Sequence, residues 1–252
     1  MKMKLMCLSV LIGLLTVLAA CGGKTTAPST PAASTSPAAR SSSSAPSSAA
    51  REDVTVTGKW ELVGKEGEWK GTRDMVGMDG YIWSVEANGS LYKTDPATGK
   101  WERSGEGGGW ARTIDMVGLN GILYSVEPDG SLWKTDKSGN DTLIDKGSFK
   151  GVTHLTAMGG KLWTIEEGTL YQTDPTTLKW SQIGKDGDFA NISAMEGAGN
   201  FIWMIDKSGN LYKVDASGTK TKLGDSYGET TILTTLNGKL WTVEGGSLYK
   251  TS

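Results

Sequence analysis

The sequence predicts an all-β fold, a five-bladed β-propeller made of four-stranded blades of about 40 residues. Three observations carry that reading. A phrase recurs: Ile82-Trp83-Ser84-Val85-Glu86 returns as Leu123-Tyr124-Ser125-Val126-Glu127, Leu162-Trp163-Thr164-Ile165-Glu166, Ile202-Trp203-Met204-Ile205-Asp206 and Leu240-Trp241-Thr242-Val243-Glu244. The acidic ends lie 41, 39, 40 and 38 residues apart, a period that marks a repeat architecture. Each copy is trailed by a Leu-aromatic pair: Leu91-Tyr92, Leu132-Trp133, Leu170-Tyr171, Leu211-Tyr212 and Leu248-Tyr249. Turns of the Asn-Gly, Asp-Gly and Asp-Pro-x-x-Gly kind separate the apolar runs, and no helical stripe accompanies the ten tryptophans.

The chain opens with a targeting segment, residues 1–20. Lys2 and Lys4 form a positive start, and Leu8 to Leu18 form an apolar stretch too short to span a membrane comfortably. Leu18-Ala19-Ala20-Cys21 then resembles the bacterial lipobox. That resemblance implies cleavage before Cys21, acylation of its thiol and often of its amine, and so a membrane partner. Two or three acyl chains anchor firmly where one holds only marginally. Gly22 follows the cysteine where aspartate would signal inner-membrane retention. The expected location is therefore the cell envelope, at the outer membrane or, where none exists, the outer face of the cell membrane. An ordinary signal peptide with a chance cysteine is the competing reading. Cys7 lies in the removed part, so the mature chain has no disulfide.

Residues 21–53 read as the lipidated cysteine and a Ser/Ala/Pro/Thr tether with too little apolar surface to offset its ordering entropy. As a coil it reaches on the order of 30 Å. Lys2, Lys4, Lys24 and Arg40 are the only charges before residue 51, which leaves 22 of the 26 basic residues against all 28 acidic ones. This excess of negative charge argues against a nucleic-acid partner.

The folded part is expected over residues 54–252. In the first repeat Met75 to Met78 is one run, Asp79-Gly80 turns it, and Tyr81 to Glu86 is the next. Ala87-Asn88-Gly89 leads into Ser90 to Thr94, and Asp95-Pro96-Ala97-Thr98-Gly99 into Lys100 to Arg103. Tyr81 to Val85 is apolar on both parities, as in a strand covered on both faces. The last repeat stops after Leu248-Tyr249-Lys250-Thr251 with no outer strand, and Lys59-Trp60-Glu61-Leu62-Val63 precedes the first with no blade of its own. The N-terminal strand is therefore expected to close the ring, which removes the exposed edges a linear solenoid would leave. The outer-strand tryptophan of Trp60, Trp101 and Trp180 is expected to be replaced near Thr142 and at Thr221.

At this point the pattern Gly-x-Trp, Leu/Ile-Trp-x-Val-Glu, Gly-Ser-Leu-Tyr-Lys-Thr-Asp-Pro resembles tectonin-like and tachylectin-like propeller repeats, over residues 59–252. The resemblance implies a lectin-like function; the propeller fold itself hosts many.

One face gathers two repeated features. The aromatics before each inner strand are Trp69, Trp110, Phe149, Phe189 and Tyr227, and the carboxylates ending each second strand are Glu86, Glu127, Glu166, Asp206 and Glu244. An aromatic plane beside a fixed acceptor suits a sugar, and five pairs would make a multivalent ring. Trp69 and Trp110, with long glycine-rich lead-ins, are the foremost candidates. Competing roles are wedges between blades for the aromatics, and turn amides or ion pairs with Lys93, Lys134, Lys213 and Lys250 for the carboxylates. Asp95, Asp136, Asp174 and Asp215 are expected to cap turns.

Catalytic and metal chemistry is sparse. His154 is the single histidine, too little for a triad or a zinc site. Asp136 to Asn140 and Asp206 to Asn210 lack the alternating acids of a calcium loop, and Gly105 to Gly109 opens no helix. Asp74 and Asp115 on inner strands leave a glycosidase-type alternative, but they copy one repeat position, whereas catalytic carboxylates need differently tuned environments. The expected function is thus binding without catalysis or cofactor, by a monomer. The expected ligand is a glycan, with a protein-interaction platform in the envelope as the alternative.

Overall fold

Twenty strands form five four-stranded antiparallel sheets in a computed structural model that describes Val54 and residues 59–252. The targeting segment, Cys21 and the tether lie outside the described residues. Blade one holds β2 (Thr72–Met78), β3 (Tyr81–Glu86), β4 (Leu91–Thr94) and β5 (Trp101–Ser104), in that order from the ring axis outward. Blade two holds β6 (Asp115–Leu119), β7 (Ile122–Val126), β8 (Ser131–Thr135) and β9 (Asp141–Lys146). Blade three is β10 (Val152–Met158), β11 (Lys161–Glu166), β12 (Thr169–Thr173) and β13 (Trp180–Ile183). Blade four is β14 (Ile192–Ala198), β15 (Phe201–Asp206), β16 (Leu211–Val214) and β17 (Lys220–Gly224). Blade five takes β18 (Thr230–Leu236), β19 (Lys239–Glu244) and β20 (Ser247–Thr251), and its outer strand is β1 (Trp60–Val63). The ring closes as expected, with Trp60 opposite Thr251 and Val63 opposite Leu248.

Each blade is short and twisted and has little core of its own, so burial happens between blades. The second strands are buried almost throughout: Trp83, Trp163, Trp203 and Trp241 are all under a tenth exposed. Five apolar clusters follow, one in each crevice between neighbouring blades, such as Met75 and Ile82 against Trp241, Val243 and Leu248.

Around the axis the inner strands are held together by polar side chains, in two tiers. In the first tier Asp74 accepts the N–H of Met116 at 2.6 Å, and Asp115 accepts the N–H of Leu155 at 2.7 Å, tying blade one to two and two to three. Two residues further along the strand the corresponding side chains are Val76 and Val117 in blades one and two, which have nothing to offer. In the other three blades that second tier is polar. Thr156 accepts the N–H of Gly197 at 2.6 Å, Glu196 that of Thr235 at 3.1 Å, and Thr234 that of Gly77 at 2.9 Å. Every blade is thus pinned to the next by at least one side chain–main chain hydrogen bond at the inner strands. The approach is close enough to exclude a side chain: a Cβ on Gly77 would lie 2.0 Å from the Thr235 carbonyl, and one on Gly197 2.0 Å from that of Ala157.

The outer strands differ from expectation in register. Thr135 faces Asp141 and Val214 faces Lys220, so Asp141 and Lys220, rather than Thr142 and Thr221, stand where Trp60, Trp101 and Trp180 sit. Irregularities at Leu132/Trp133 and Leu211/Tyr212 accompany the change.

Candidate functional site

The five loop aromatics share one backbone device. The N–H of Trp69, Trp110, Phe149, Phe189 and Tyr227 donates to the carbonyl of Gly246, Gly89, Gly130, Gly168 and Gly209, each in the second-to-third turn of the preceding blade. Their own carbonyls accept from Thr72, Thr113, Val152, Ile192 and Thr230 at the start of the next inner strand. This clamp turns the rings into the crevices. Trp110, Phe149 and Phe189 are 9%, 7% and 2% exposed, packed inside rather than forming the solvent-facing platform expected from sequence. The reason is local: glycine-rich turns leave the volume that the rings fill, as Phe149 does between Val126 and Leu132 of one blade and Val152 of the next. Tyr227 is half-buried, edge-to-face with Trp60 at 6.3 Å. Trp69 is half-buried, packed against the crevice cluster of blades five and one, and lines a cavity there.

The carboxylates serve turns and neighbours. Glu86 accepts from the Thr72 hydroxyl at 2.9 Å and the Ser84 hydroxyl at 3.3 Å, and Glu244 accepts from Thr230 at 2.9 Å. Glu127 lies 3.8 Å from Arg112. Asp206 accepts N–H groups of Ser208 and Asn210 and the Tyr212 hydroxyl. Burial pushes its pKa up, but the Asn210 hydrogen bonds outweigh it and hold the group below the ordinary range. Glu166 sits beside Gly151. Ion pairs across the hairpin with Lys93 and Lys250 do not form, because those lysines lie opposite Trp83 and Trp241. Lys93 stacks over Tyr81 at 3.8 Å and reaches Glu102, and Lys250 reaches Glu61. The four expected turn aspartates accept main-chain N–H groups two to four residues ahead, as Asp95 does from Ala97.

Two cavities compete as sites. The first is the channel mouth, about 140 Å³, lined by Arg73, Asp74, Asp115 and His154. Burial pushes Asp74 up to about 6, opposed by the N–H groups of Met75 and Met116. Burial, and then the Asp74 charge, raise Asp115 well above the carboxylate range. His154 is lowered by burial. The volume falls short of the ~300 Å³ at which small-molecule pockets begin, and both carboxyls already hold strands. Among the described residues no group of three or more His, Cys, Asp or Glu side chains is arranged to hold a metal ion.

The second cavity is a groove of about 620 Å³ between blades five and one, at the ring seam. Trp69, Tyr92 and Trp101 supply aromatic surface, and Thr72, Ser84 and Glu86 supply hydroxyls and a carboxylate. Trp101 is 68% exposed yet fixed, because Tyr92 meets it edge-to-face at 5.1 Å and 87°. The same pair recurs in blade three, where Tyr171 meets Trp180 at 5.5 Å and 84°. There the space is filled. Leu178 packs against the crevice cluster of blades two and three, at the turn position that Gly99 holds in blade one. The two turns are otherwise alike: both N–H groups bond back to Asp95 or Asp174 at 2.8 Å, with φ of 68° at Gly99 and 56° at Leu178. A Cβ on Gly99 would meet nothing within 4 Å. Elsewhere Trp60 lies on Tyr227 between blades four and five, and Lys220 lies over Phe189 between blades three and four.

Sequence reasoning paired Trp69 with Glu86 and the structure brings both to this groove. It missed Tyr92, Trp101 and the Gly99/Leu178 switch, whose signal is the contrast between Asp-Pro-Ala-Thr-Gly and Asp-Pro-Thr-Thr-Leu.

No protein-family model matches the chain, and no curated protein does. Among solved structures, the chain is similar to a glutaminyl cyclase from Myxococcus xanthus, with a TM-score of 0.54 and 15% identity over 76% of this chain and 94% of that one. A protein of unknown function from Bacteroides thetaiotaomicron gives the same score and identity over 70% of this chain and 57% of that one. BamB from Moraxella catarrhalis gives 0.42 at 18% identity, and the chain covers 71% of itself and spans 57% of BamB. At these identities the likeness is one of fold, that of a β-propeller.

Proposed function

We propose that the protein is a lectin-like carbohydrate-binding propeller, carried in the cell envelope on an acylated Cys21, with its glycan held in the groove between blades five and one. The observation that supports this reading is the fixed, exposed indole of Trp101, which lines one cavity together with Trp69, Glu86, Ser84 and Thr72. A sugar offers an apolar C–H face to an aromatic ring and hydroxyls to acceptors, and a ring pre-set by Tyr92 loses little freedom when a ligand stacks on it. The proposal is of one site, this groove, rather than five.

A glycan array probed with the full chain tests it, followed by titration of the sugars that bind. Trp101→Ala should weaken binding about tenfold or more with an unchanged melting point, because the ring packs on the surface. An array without signal, or full affinity in Trp101→Ala, overturns the reading; capture of an envelope protein by the same surface would then favour the interaction platform. The anchor is tested separately: Cys21→Ser should abolish incorporation of labelled palmitate.

A further inference from the structure

The open groove lies against blade five, where β1 and β20 are joined by hydrogen bonds and not by a loop, and Val63 and Leu248 from those two strands line it. Among the described strands, β1–β20 is the only pair whose members are not neighbours in sequence. One wall of the groove is formed by Val63, the last residue of β1, and by Lys65 and Trp69 in the segment after it. The facing wall, including Tyr92 and Trp101, belongs to blade one, whose four strands are covalently consecutive.

The fastening of β1 is light. None of its four residues is fully buried. It is held by the ladder to β20, by the N–H of Ser252 donating to the Lys59 carbonyl at 3.1 Å, and by Glu61 beside Lys250 at 3.6 Å. Beyond it, the N–H of Trp69 donates to Gly246 at 2.9 Å and that of Gly67 to Ser247 at 3.0 Å. Upstream, Val54 is buried between blades four and five with Trp203 and Leu240.

Resting on the reading of this groove as the ligand site, we infer that ligand binding and ring closure are one linked equilibrium. An occupant touching Leu248 of β20 as well as Val63 and Trp101 spans the β1–β20 seam and binds only the closed ring. It therefore holds β1 on β20 by mass action, and by reciprocity whatever draws β1 away from β20 releases the ligand. The crevice between blades two and three has no such property, since both of its walls come from blades closed in sequence.

Hydrogen exchange read by mass spectrometry on the full chain tests this, with β13 as the internal control. Gly99→Leu places in the groove the side chain that Leu178 places in its counterpart, and so acts as a built-in occupant. It should slow exchange of the β1 and β20 amides on the order of tenfold and leave β13 unchanged. Thr98→Met fills the same groove from a residue of ordinary φ and replaces it if Gly99→Leu does not fold. Equal exchange in the filled variant and the wild type, or equal slowing of β13, overturns the linkage. Chitotetraose, cellotetraose and maltotetraose are then added in turn to the wild type. One that quenches tryptophan emission should also slow β1; quenching without slowing overturns the linkage while leaving the sugar reading intact. If none quenches, the sugar reading loses support, and the filled variants alone decide the linkage.

Discussion

Asp74 of blade one and Asp115 of blade two lie close together at the channel mouth, and each accepts a main-chain N–H from the following blade. Two carboxyls buried this close cannot both ionise cheaply, so the pair holds a proton above the ordinary carboxylate range. Both native pKa values are raised, so above the ordinary value of 3.8 the folded chain binds more protons than the unfolded one. Stability contributed by the pair is therefore full below about pH 4 and falls as pH rises through about 6 and beyond. His154 works the other way: its lowered value removes stability as pH drops below 6.5.

Asp115→Asn isolates the carboxyl effect. Asparagine can still accept from Leu155, but carries no charge. The variant should be more stable than the wild type by about 1–2 kcal/mol at pH 8 and equal to it at pH 4. Urea melts at the two pH values check this; a loss at pH 8 would show that the pair does not titrate as described.

Glu196 is the other buried acid, 4% exposed, and it joins three blades by accepting from Thr156, Thr234 and Thr235. Glu196→Ala strands the N–H of Thr235 and should cost about 3–4 kcal/mol. Glu196→Gln keeps an acceptor and should cost less than half of that. Equilibrium unfolding distinguishes them, and equal losses would mean that the charge, not the acceptor, holds the blades.

Valence turns on one residue. Leu178→Gly removes the plug between blades two and three while preserving the Tyr171–Trp180 pair, and should give a second binding site of similar affinity. Gly99→Leu should remove the first. The combined variant should bind one ligand, through Trp180 instead of Trp101. Calorimetric stoichiometry with the best glycan from the array reads all three.

Close approach at the axis predicts steep intolerance. Gly197→Ala puts a methyl into the Ala157 carbonyl and should cost about 3 kcal/mol or more. Gly99→Ala, in open space but at positive φ, should cost about 1 kcal/mol. Thermal melts that rank the two in the opposite order would refute the crowding at the inner strands.

The architecture was legible because period, turn chemistry and the unpaired strand at Trp60 all follow from single-residue signals at fixed spacing. Tyr81 to Glu86 could be bounded to the residue, since its turns are marked on both sides. The site was less legible. Whether Trp110 faces water depends on where its main chain is clamped, and the hydrogen bond to Gly89 that turns it inward joins segments 21 residues apart. The groove depends on what is missing at Gly99, and a missing side chain is visible only beside the filled copy at Leu178. The polar pins escaped notice because they occupy two different strand positions, so no column of the repeat displays them.

Those pins also give the ring a fixed order of parts. Asp74 and Asp115 serve the junctions that Val76 and Val117 leave bare, while Thr156, Glu196 and Thr234 serve the remaining three. A blade is therefore matched to its own neighbours. Circular permutants, which keep every adjacency, retain all five bonds; exchanging blades two and four would set valine beside a strand that requires an acceptor. Repeats that read as near-copies in the sequence have become non-interchangeable members of one circuit.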